Sequence, residues 1–478
     1  MTTRGSWGTR LGFILAAVGS AVGLGNLWRF PWMAADNGGS AFLVVYLAVI
    51  VLVGVPGLLA ELVIGRRSNR SPVGALVSLA DSDRWRAPGL LAVGTAVLLL
   101  SFYAVVGGWT LRYFLTSATG AYFAEPGAYF SGASSGLDAF AFALAFLALT
   151  GFVVYRGVDA GIERASKVMM PAILVLLVAL AAWALTLPGA GAGVSFYLAF
   201  DLATLRANAF DILPAAAGQA LFTLSLGCGT MLTYASYLSE DRSLPADATA
   251  IAVLNTLVGV LAGLVVFPLL FALGDGAGAG GPGAVFVSIA AAFATLPYGQ
   301  VLGVVFFGVV LLAALSSSIS MLEIPVAYLV EEREHSRHTA VAGLLSLFAV
   351  TSGVCAFFPA IFAFVSGTLV DLLLTTGLVG FLLFVGWVLG KDAVDEFRTG
   401  AGDFAGRLAT PWLYAVAVVL PVFLLFTLVT GVLGALGVTV ADVALGGVTV
   451  SGTTQLVGVA VLLALTAYAT LRRPGSAV

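Results

Sequence analysis

Two apolar stretches of this chain are interrupted by residues that could bind something. The first reads AVGLGNLWRFP over residues 21–31, and the second FTLSLGCGT over residues 222–230. A glycine inside a helix costs about 1 kcal/mol relative to alanine. Gly23 and Gly25, followed by Asn26, therefore favour unwinding. Gly19 and Gly23 also fit a small-xxx-small contact between helices, and on the first stretch alone both readings stand. The second stretch decides between them, because Thr223, Ser225 and Thr230 place three hydroxyls within eight residues, around Gly227 and Gly229. Unwound backbone at membrane depth is tolerated only inside protein or beside a water-filled cavity. Amides freed at the start of a half-helix attract an anion, and freed carbonyls attract a cation. The expected chemistry is joint binding of a carboxylate and a hard cation.

Other chemistries lack residues. His335 and His338 are the two histidines, and both fall in one charged loop. Cys228 and Cys355 lie in apolar segments with neither metal-ligand spacing nor a disulfide framework. With no H-E-x-x-H motif and no histidine at membrane depth, an integral-membrane enzyme has no base or metal to work with. A channel would need a filter repeat or a charge ring, and neither is present.

The elements that position the two stretches follow from composition. Of the 478 residues, 60% are hydrophobic and 9% charged, against about 25% charged in soluble domains. The mean hydropathy is +1.07. This describes an all-α integral membrane protein with the lipid bilayer as its solvent. The net charge of −3 gives no basic field for nucleic acid. The N-terminal MTTRGSWGTR leads into apolar sequence without a cleavage site, so no removable leader is expected.

A spanning helix needs about 20 apolar residues. Twelve candidates occur, at 10–34, 41–64, 88–118, 137–155, 165–187, 210–238, 246–273, 299–330, 338–356, 359–389, 411–437 and 451–471. The apolar segment 283–296 is too short and reads as a re-entrant piece of a loop. With these spans, 18 of the 21 basic residues fall at the termini or in even-numbered loops, the exceptions being Arg29, Arg112 and Arg206. Both termini are then cytoplasmic, in a multi-pass protein of the cell membrane. The glycine-interrupted spans are the first and the sixth. Interruptions at matching positions point to a 5+5 inverted repeat, with units 10–187 and 210–389, two additional helices at 411–471, and one transmembrane domain over 1–478. The sequence sets no oligomeric state.

AVGLGNLWRFP, the Asp36-Asn-Gly-Gly39 that follows, and FTLSLGCGTMLTYASY at 222–237 resemble the neurotransmitter:sodium symporter family, in its prokaryotic amino-acid transporter branch. The resemblance runs from Trp7 to about Asp371. It implies sodium-coupled import of an amino acid by alternating access, and two sodium sites. The first would use the Ala21 carbonyl, Asn26, Thr223 and Asn255 with the substrate carboxylate. The second would use the carbonyls of Gly19, Val22 and Ala313 and the hydroxyls of Ser316 and Ser317. All are oxygen ligands, as a hard cation requires.

The resemblance further implies that the substrate carboxylate meets the Leu24 and Gly25 amides and the Tyr103 hydroxyl. Ser225 and the Phe222 carbonyl would face the amino group, and Ala21, Thr223 and Ser317 would contact substrate as well as ion. Leu99, Phe222, Cys228, Ser320 and Met321 would line the side-chain pocket. The family's monoamine branch has aspartate where this chain has Gly23, so the substrate is expected to bring its own carboxylate. Cys228 replaces a common aromatic residue, which favours a bulky hydrophobic or aromatic amino acid.

By the same resemblance, Arg29 and Asp371 pair as an outer gate above a lid of Tyr103 and Phe222. Arg4 and Glu331 pair as an inner gate, with Trp7 and Tyr237 beside them. Gly161 and Pro171 bracket the start of the fifth span in a spacing associated with local unwinding. Glu323, an ionisable group at membrane depth, reads either as functional or as a satisfied structural carboxylate. If functional, it offers proton coupling as the rival to sodium, and an amino-acid sensor without coupled transport is a further rival. Tyr46, Gln219, Thr223 and Ser225 occupy the region of the family's anion site, but its deciding position is Gly259, neither serine nor acidic. Chloride dependence stays open.

Overall fold

The structure is a computed structural model that describes residues 7–239, 242–274, 276, 283–438, 440, 443–445, 448–450 and 452–471. Among these residues nine helices are long and apolar enough to cross a membrane: Ser40–Ser68, Asp83–Ser117, Gly136–Tyr155, Val158–Ala184, Leu244–Ala272, Gly299–Glu332, Arg337–Phe357, Pro359–Leu389 and Asp403–Gly434. A tenth is the pair Arg10–Ala21 and Gly25–Asp36, bent by 42° at its break. The two other expected spans are shorter apolar helices. The sixth runs Leu202–Thr223, breaks, and resumes at Thr230–Ala235, while the twelfth is Gly452–Leu471. The short segment 283–296 is a twelve-residue helix, Ala284–Thr295. The all-helical expectation needs one amendment. Val443–Leu445 and Val448–Val450 form a two-stranded antiparallel hairpin, built from the β-branched residues that favour strands.

Three helices begin seven or eight residues earlier than hydropathy suggests, the eleventh at Asp403 rather than 411. The fifth starts at Val158 rather than 165, with a π-helical turn, Val158–Glu163, directly after Gly157. The sixth starts at Leu202 rather than 210, because the Asp201 carboxylate caps it by accepting from the Thr204 amide at 3.0 Å.

The long helices Asp83–Ser117 and Gly299–Glu332 lie against each other, flanked by Gly136–Tyr155 and Arg337–Phe357. The Arg10–Ala21 half-helix packs against the fifth, seventh and eighth spans. Large apolar side chains such as Val51, Leu52, Val175 and Leu462 face outward, as a hydrocarbon solvent permits.

The break in the sixth helix is held open by specific backbone bonds. Ser225, Gly227 and Gly229 all take positive φ, at 53°, 88° and 76°. At Gly227 a side chain is excluded twice over, since a Cβ would lie 1.9 Å from the Leu374 carbonyl oxygen. An amide left unbonded at this depth costs about 1–3 kcal/mol. The fully buried carboxylate of Glu61 accepts from the Gly227 amide at 2.7 Å and the Leu232 amide at 3.4 Å. It thus caps the second half of the broken helix.

Candidate functional site

The first helix loses its regular bonding at Val22, which is extended (φ −79°, ψ 99°), and resumes as a wide turn at Gly25–Arg29. The freed groups meet polar side chains from three other helices. The Leu24 amide donates to the Tyr103 hydroxyl at 3.0 Å. The Ser317 hydroxyl donates to the Ser20 carbonyl at 2.9 Å, and that of Ser225 reaches the same carbonyl at 3.3 Å. The Ser20 hydroxyl donates to Ser320 Oγ at 2.7 Å. Gly23 sits at the centre. A Cβ there would lie 2.0 Å from Ser317 Oγ and 2.7 Å from the Tyr103 hydroxyl, so no side chain fits.

Two oxygen clusters flank this point. In one, Asn26 Nδ2 donates to the carbonyl and Oδ1 of Asn255, at 2.9 and 3.0 Å, and Thr223 Oγ1 donates to Asn255 Oδ1 at 3.3 Å. In the other, Ser316 Oγ donates to the carbonyls of Val22 and Ala313, at 3.1 and 2.9 Å. Gly19 adjoins this cluster, since a Cβ there would come within 3.6 Å of Ser316 Cβ. Both clusters are buried and consist of neutral amide, hydroxyl and carbonyl oxygens. Among the described residues no group of three or more His, Cys, Asp or Glu could hold a metal ion. Neutral oxygens suit a hard monovalent cation, whereas a divalent ion usually draws carboxylates.

Ala21, Leu99, Cys228 and Met321 are buried in the same core. Cys228 Sγ lies 3.4 Å from the Ser225 carbonyl and 3.1 Å from Thr230 Oγ1. Phe222 lies over the break, and its ring crowds Gly25, whose Cβ would lie 3.0 Å from Phe222 Cδ1 and 3.2 Å from Thr223 Cα. Gln219 Nε2 donates to the Gly25 carbonyl at 2.8 Å. Gly259 faces Asn26 and contributes no side-chain oxygen.

Side chains from separate helices meet at each end of this centre. Arg29 grips Asp371 through two bonds, at 2.9 and 2.6 Å, and its guanidinium lies 4.7 Å above the Phe222 ring. An arginine at the bilayer centre costs roughly 2.5–3.5 kcal/mol on insertion scales, and a two-pronged carboxylate partner offsets that cost. At the other end, Trp7 Nε1 donates to the Tyr234 carbonyl at 2.9 Å, with the rings of Tyr234 and Tyr237 at 5.2 and 6.4 Å. The expected Arg4–Glu331 pair falls on Arg4, outside the described residues. Glu331 accepts from the Ser71 amide at 2.6 Å. Tyr237 instead donates to Glu323 at 2.9 Å, and Arg337 binds both oxygens of Glu323. Glu323, which the sequence left between two readings, is thus a fully buried carboxylate in an ion pair beside Tyr237.

Sequence reasoning missed three contributors. Ser20 has no signal of its own, since a serine in an apolar helix ordinarily bonds its own backbone. Arg337 counted only as a loop charge. Glu61 had no signal beyond being ionisable inside an apolar run, which by itself marks a functional candidate.

A bundle of apolar helices, with two of its spans broken at the centre, is the architecture of a membrane transporter. The chain belongs to the Sodium:neurotransmitter symporter family, whose model matches residues 4–124 and 134–451. It is a sodium-coupled transporter and not an enzyme. The "Uncharacterized sodium-dependent transporter YhdH" of Bacillus subtilis is 35% identical, the match covering 89% of this chain and 98% of that protein. A sodium-dependent dopamine transporter of Bos taurus is 29% identical over 90% of this chain and 69% of its own. Among solved structures, MhsT in complex with L-phenylalanine is 37% identical, with a TM-score of 0.80, over 90% of this chain and 100% of that one.

Proposed function

We propose that this protein imports a hydrophobic or aromatic amino acid together with sodium, by alternating access. The observation that carries this reading is the convergence on Gly23. There the Leu24 amide and the Tyr103 hydroxyl stand side by side next to two neutral oxygen clusters. A carboxylate entering between them would accept from the Leu24 and Gly25 amides and from Tyr103. Because no side chain fits at Gly23, that carboxylate comes with the substrate. It would complete the cluster of Ala21, Asn26, Thr223 and Asn255 as an ion ligand, so ion and substrate stabilise each other. The second ion would sit among Gly19, Val22, Ala313, Ser316 and Ser317. Ser225 and the Phe222 carbonyl would take the amino group. Leu99, Cys228, Ser320 and Met321 would hold the side chain, and the L-phenylalanine bound by MhsT supports an apolar one.

Arg29–Asp371 is the outer gate. Trp7, Tyr237, Glu323 and Arg337 form the inner one, at the basic, cytoplasmic end of the bundle, and the first, second, sixth and seventh spans rock against a scaffold of the third, fourth, eighth and ninth. Glu323 is poorly placed to carry protons, because discharging it would leave Arg337 charged and without its carboxylate partner. The test is thermal stability of the purified protein with each of the twenty amino acids, in sodium and in potassium at equal ionic strength. A ligand at a hundred times its Kd adds about 2.7 kcal/mol to the folded state. Stabilisation by apolar amino acids only in sodium is expected. Equal stabilisation in both salts would move the reading to a sodium-independent sensor or to proton coupling.

A further inference from the structure

A short helix at the inner end of the bundle, Lys391–Arg398, joins the tenth span to the eleventh, and one buried guanidinium fastens it to the second. Arg66 lies in the last turn of the second span, its side chain 1% exposed. Its Nε binds the Glu396 carboxylate, its Nη2 donates to the Glu396 carbonyl at 2.7 Å, and its Nη1 donates to the Arg242 carbonyl. Arg67 adds a more exposed pair with Asp392 at 2.8 Å. The Arg242 side chain carries the connection onward. It binds Asp247 at the start of the seventh span at 2.7 Å, donates to the Arg10 carbonyl at 3.4 Å, and lies 4.6 Å above the Phe13 ring of the first span. Gly400, just past the helix, sits so close to Arg242 that a Cβ would lie 2.8 Å from its carbonyl carbon. Gly400 also lines the same cavity as Trp7, Tyr237 and Arg242. The spans that flank the helix are held otherwise, the tenth packing along the third and the eleventh along the tenth. Phe397 rests on Trp412 of the eleventh, with ring centroids 5.1 Å apart. That apolar contact is non-directional and can slide, whereas a forked ion pair fixes its geometry. Glycines stand at both junctions. Gly390 takes φ 52°, and a Cβ at Gly390 or Gly402 would meet nothing.

We propose that Arg66 makes the helix Lys391–Arg398 a travelling part of the rocking bundle, a movable wall of the inner exit that turns at Gly390 and Gly402. Releasing the helix would leave a buried guanidinium without its carboxylate, which is costly. The tie therefore holds through the cycle, and the helix follows when the second and seventh spans tilt. The bend is taken up at the two glycine junctions, where the chain has room to change its dihedral angles. Arg66 is a positioning residue, acting on the exit through Glu396 and Arg242. The proposal rests on the alternating-access reading, in which the first, second, sixth and seventh spans move against the third, fourth, eighth and ninth.

The test is spin-label distance measurement on the full-length protein in detergent, in sodium with L-phenylalanine and in potassium without it. Labels go in pairs at three exposed positions, Asp395→Cys on the helix, Ala246→Cys on the seventh span and His335→Cys between the eighth and ninth. The native Cys228 and Cys355 are buried. The expected result is that the Ala246–His335 and Asp395–His335 distances shift together between the two conditions, while the Asp395–Ala246 distance keeps its mean and width. Arg66 itself stays unaltered in these measurements, so its folding role does not intrude. Glu396→Gln, at a side chain 16% exposed, then removes the charge of the pair. It should broaden the Asp395–Ala246 distance and leave the Ala246–His335 shift in place. An Asp395–His335 distance that stays fixed while Ala246–His335 shifts would place the helix with the scaffold and overturn the proposal. A purely structural tie would lower the melting temperature in Glu396→Gln without broadening any distance, and that result also overturns it. Absence of any shift between Ala246 and His335 would overturn the alternating-access reading together with the proposal, which tells the two failures apart.

Discussion

The most exposing perturbation is a single methyl group at Gly23. In Gly23→Ala the new Cβ would stand 2.0 Å from Ser317 Oγ, 2.7 Å from the Tyr103 hydroxyl and 2.9 Å from Ser317 Cβ. To restore ordinary contact, Ser317 Oγ must retreat by about 1.4 Å, to 3.4 Å. That retreat breaks its bond to the Ser20 carbonyl and draws it away from the proposed second ion site. The methyl also presses on the hydroxyl that meets the Leu24 amide. Overpacking of this kind costs about 1–3 kcal/mol. Because the strained atoms are those proposed to bind substrate and ion, most of that cost should appear as lost affinity, roughly 5- to 150-fold at 1.4 kcal/mol per decade. The assay is equilibrium binding of the best amino acid from the thermal screen, titrated against sodium. A companion variant, Gly23→Ala with Ser317→Gly, removes the two clashing Ser317 atoms and leaves only the Tyr103 hydroxyl, at the end of a side chain, to give way. It should recover thermal stability but not sodium affinity. Wild-type affinity and melting in Gly23→Ala would refute the claim that Gly23, Tyr103 and Ser317 converge on the binding point.

Three further outcomes are expected. Asn26→Leu should weaken sodium and amino-acid binding by the same factor, since coupling between two ligands is reciprocal; calorimetry of each ligand with the other held saturating reads this, and unequal losses count against a shared cluster. Arg29→Lys keeps the charge but loses the two-pronged grip on Asp371, so bound amino acid should dissociate faster, by roughly tenfold, with little change in sodium affinity; an unchanged release rate would remove that pair from the gate. Glu323→Gln leaves Arg337 without its partner and should cost about 3–5 kcal/mol of stability, while uptake into vesicles still follows sodium and ignores an imposed pH gradient. Uptake by the unaltered protein that follows the pH gradient in potassium would reverse that assignment.

What could be read in advance depended on range. Hydropathy sees runs of about 20 residues, so the long spans and the short Ala284–Thr295 helix were legible. The starts of the fifth and sixth helices were not, because Asp159 and Glu163 in the π-helical turn, and Arg206 and Asp211 in the sixth helix, interrupt the apolar signal. The break in the sixth helix was legible from Gly227 and Gly229, but not the turn at Ser225, a residue type that seldom takes positive φ. Contacts between distant segments were the least accessible. Glu61 meets the Gly227 amide 166 positions away, and Ser20 meets Ser320 across 300. No local pattern records either.

The two oxygen clusters have an electrical consequence. Their oxygens are all neutral, so on the proposed reading the empty carrier has no fixed charge at the binding point, and the loaded carrier bears whatever its cargo brings. A zwitterionic amino acid adds none, which leaves the sodium charge uncompensated. Moving one elementary charge through 100 mV is worth about 2.3 kcal/mol. The voltage across the membrane therefore drives the loaded passage and leaves the empty return nearly indifferent to it, so cells that hold a larger negative potential would accumulate more substrate at the same sodium gradient.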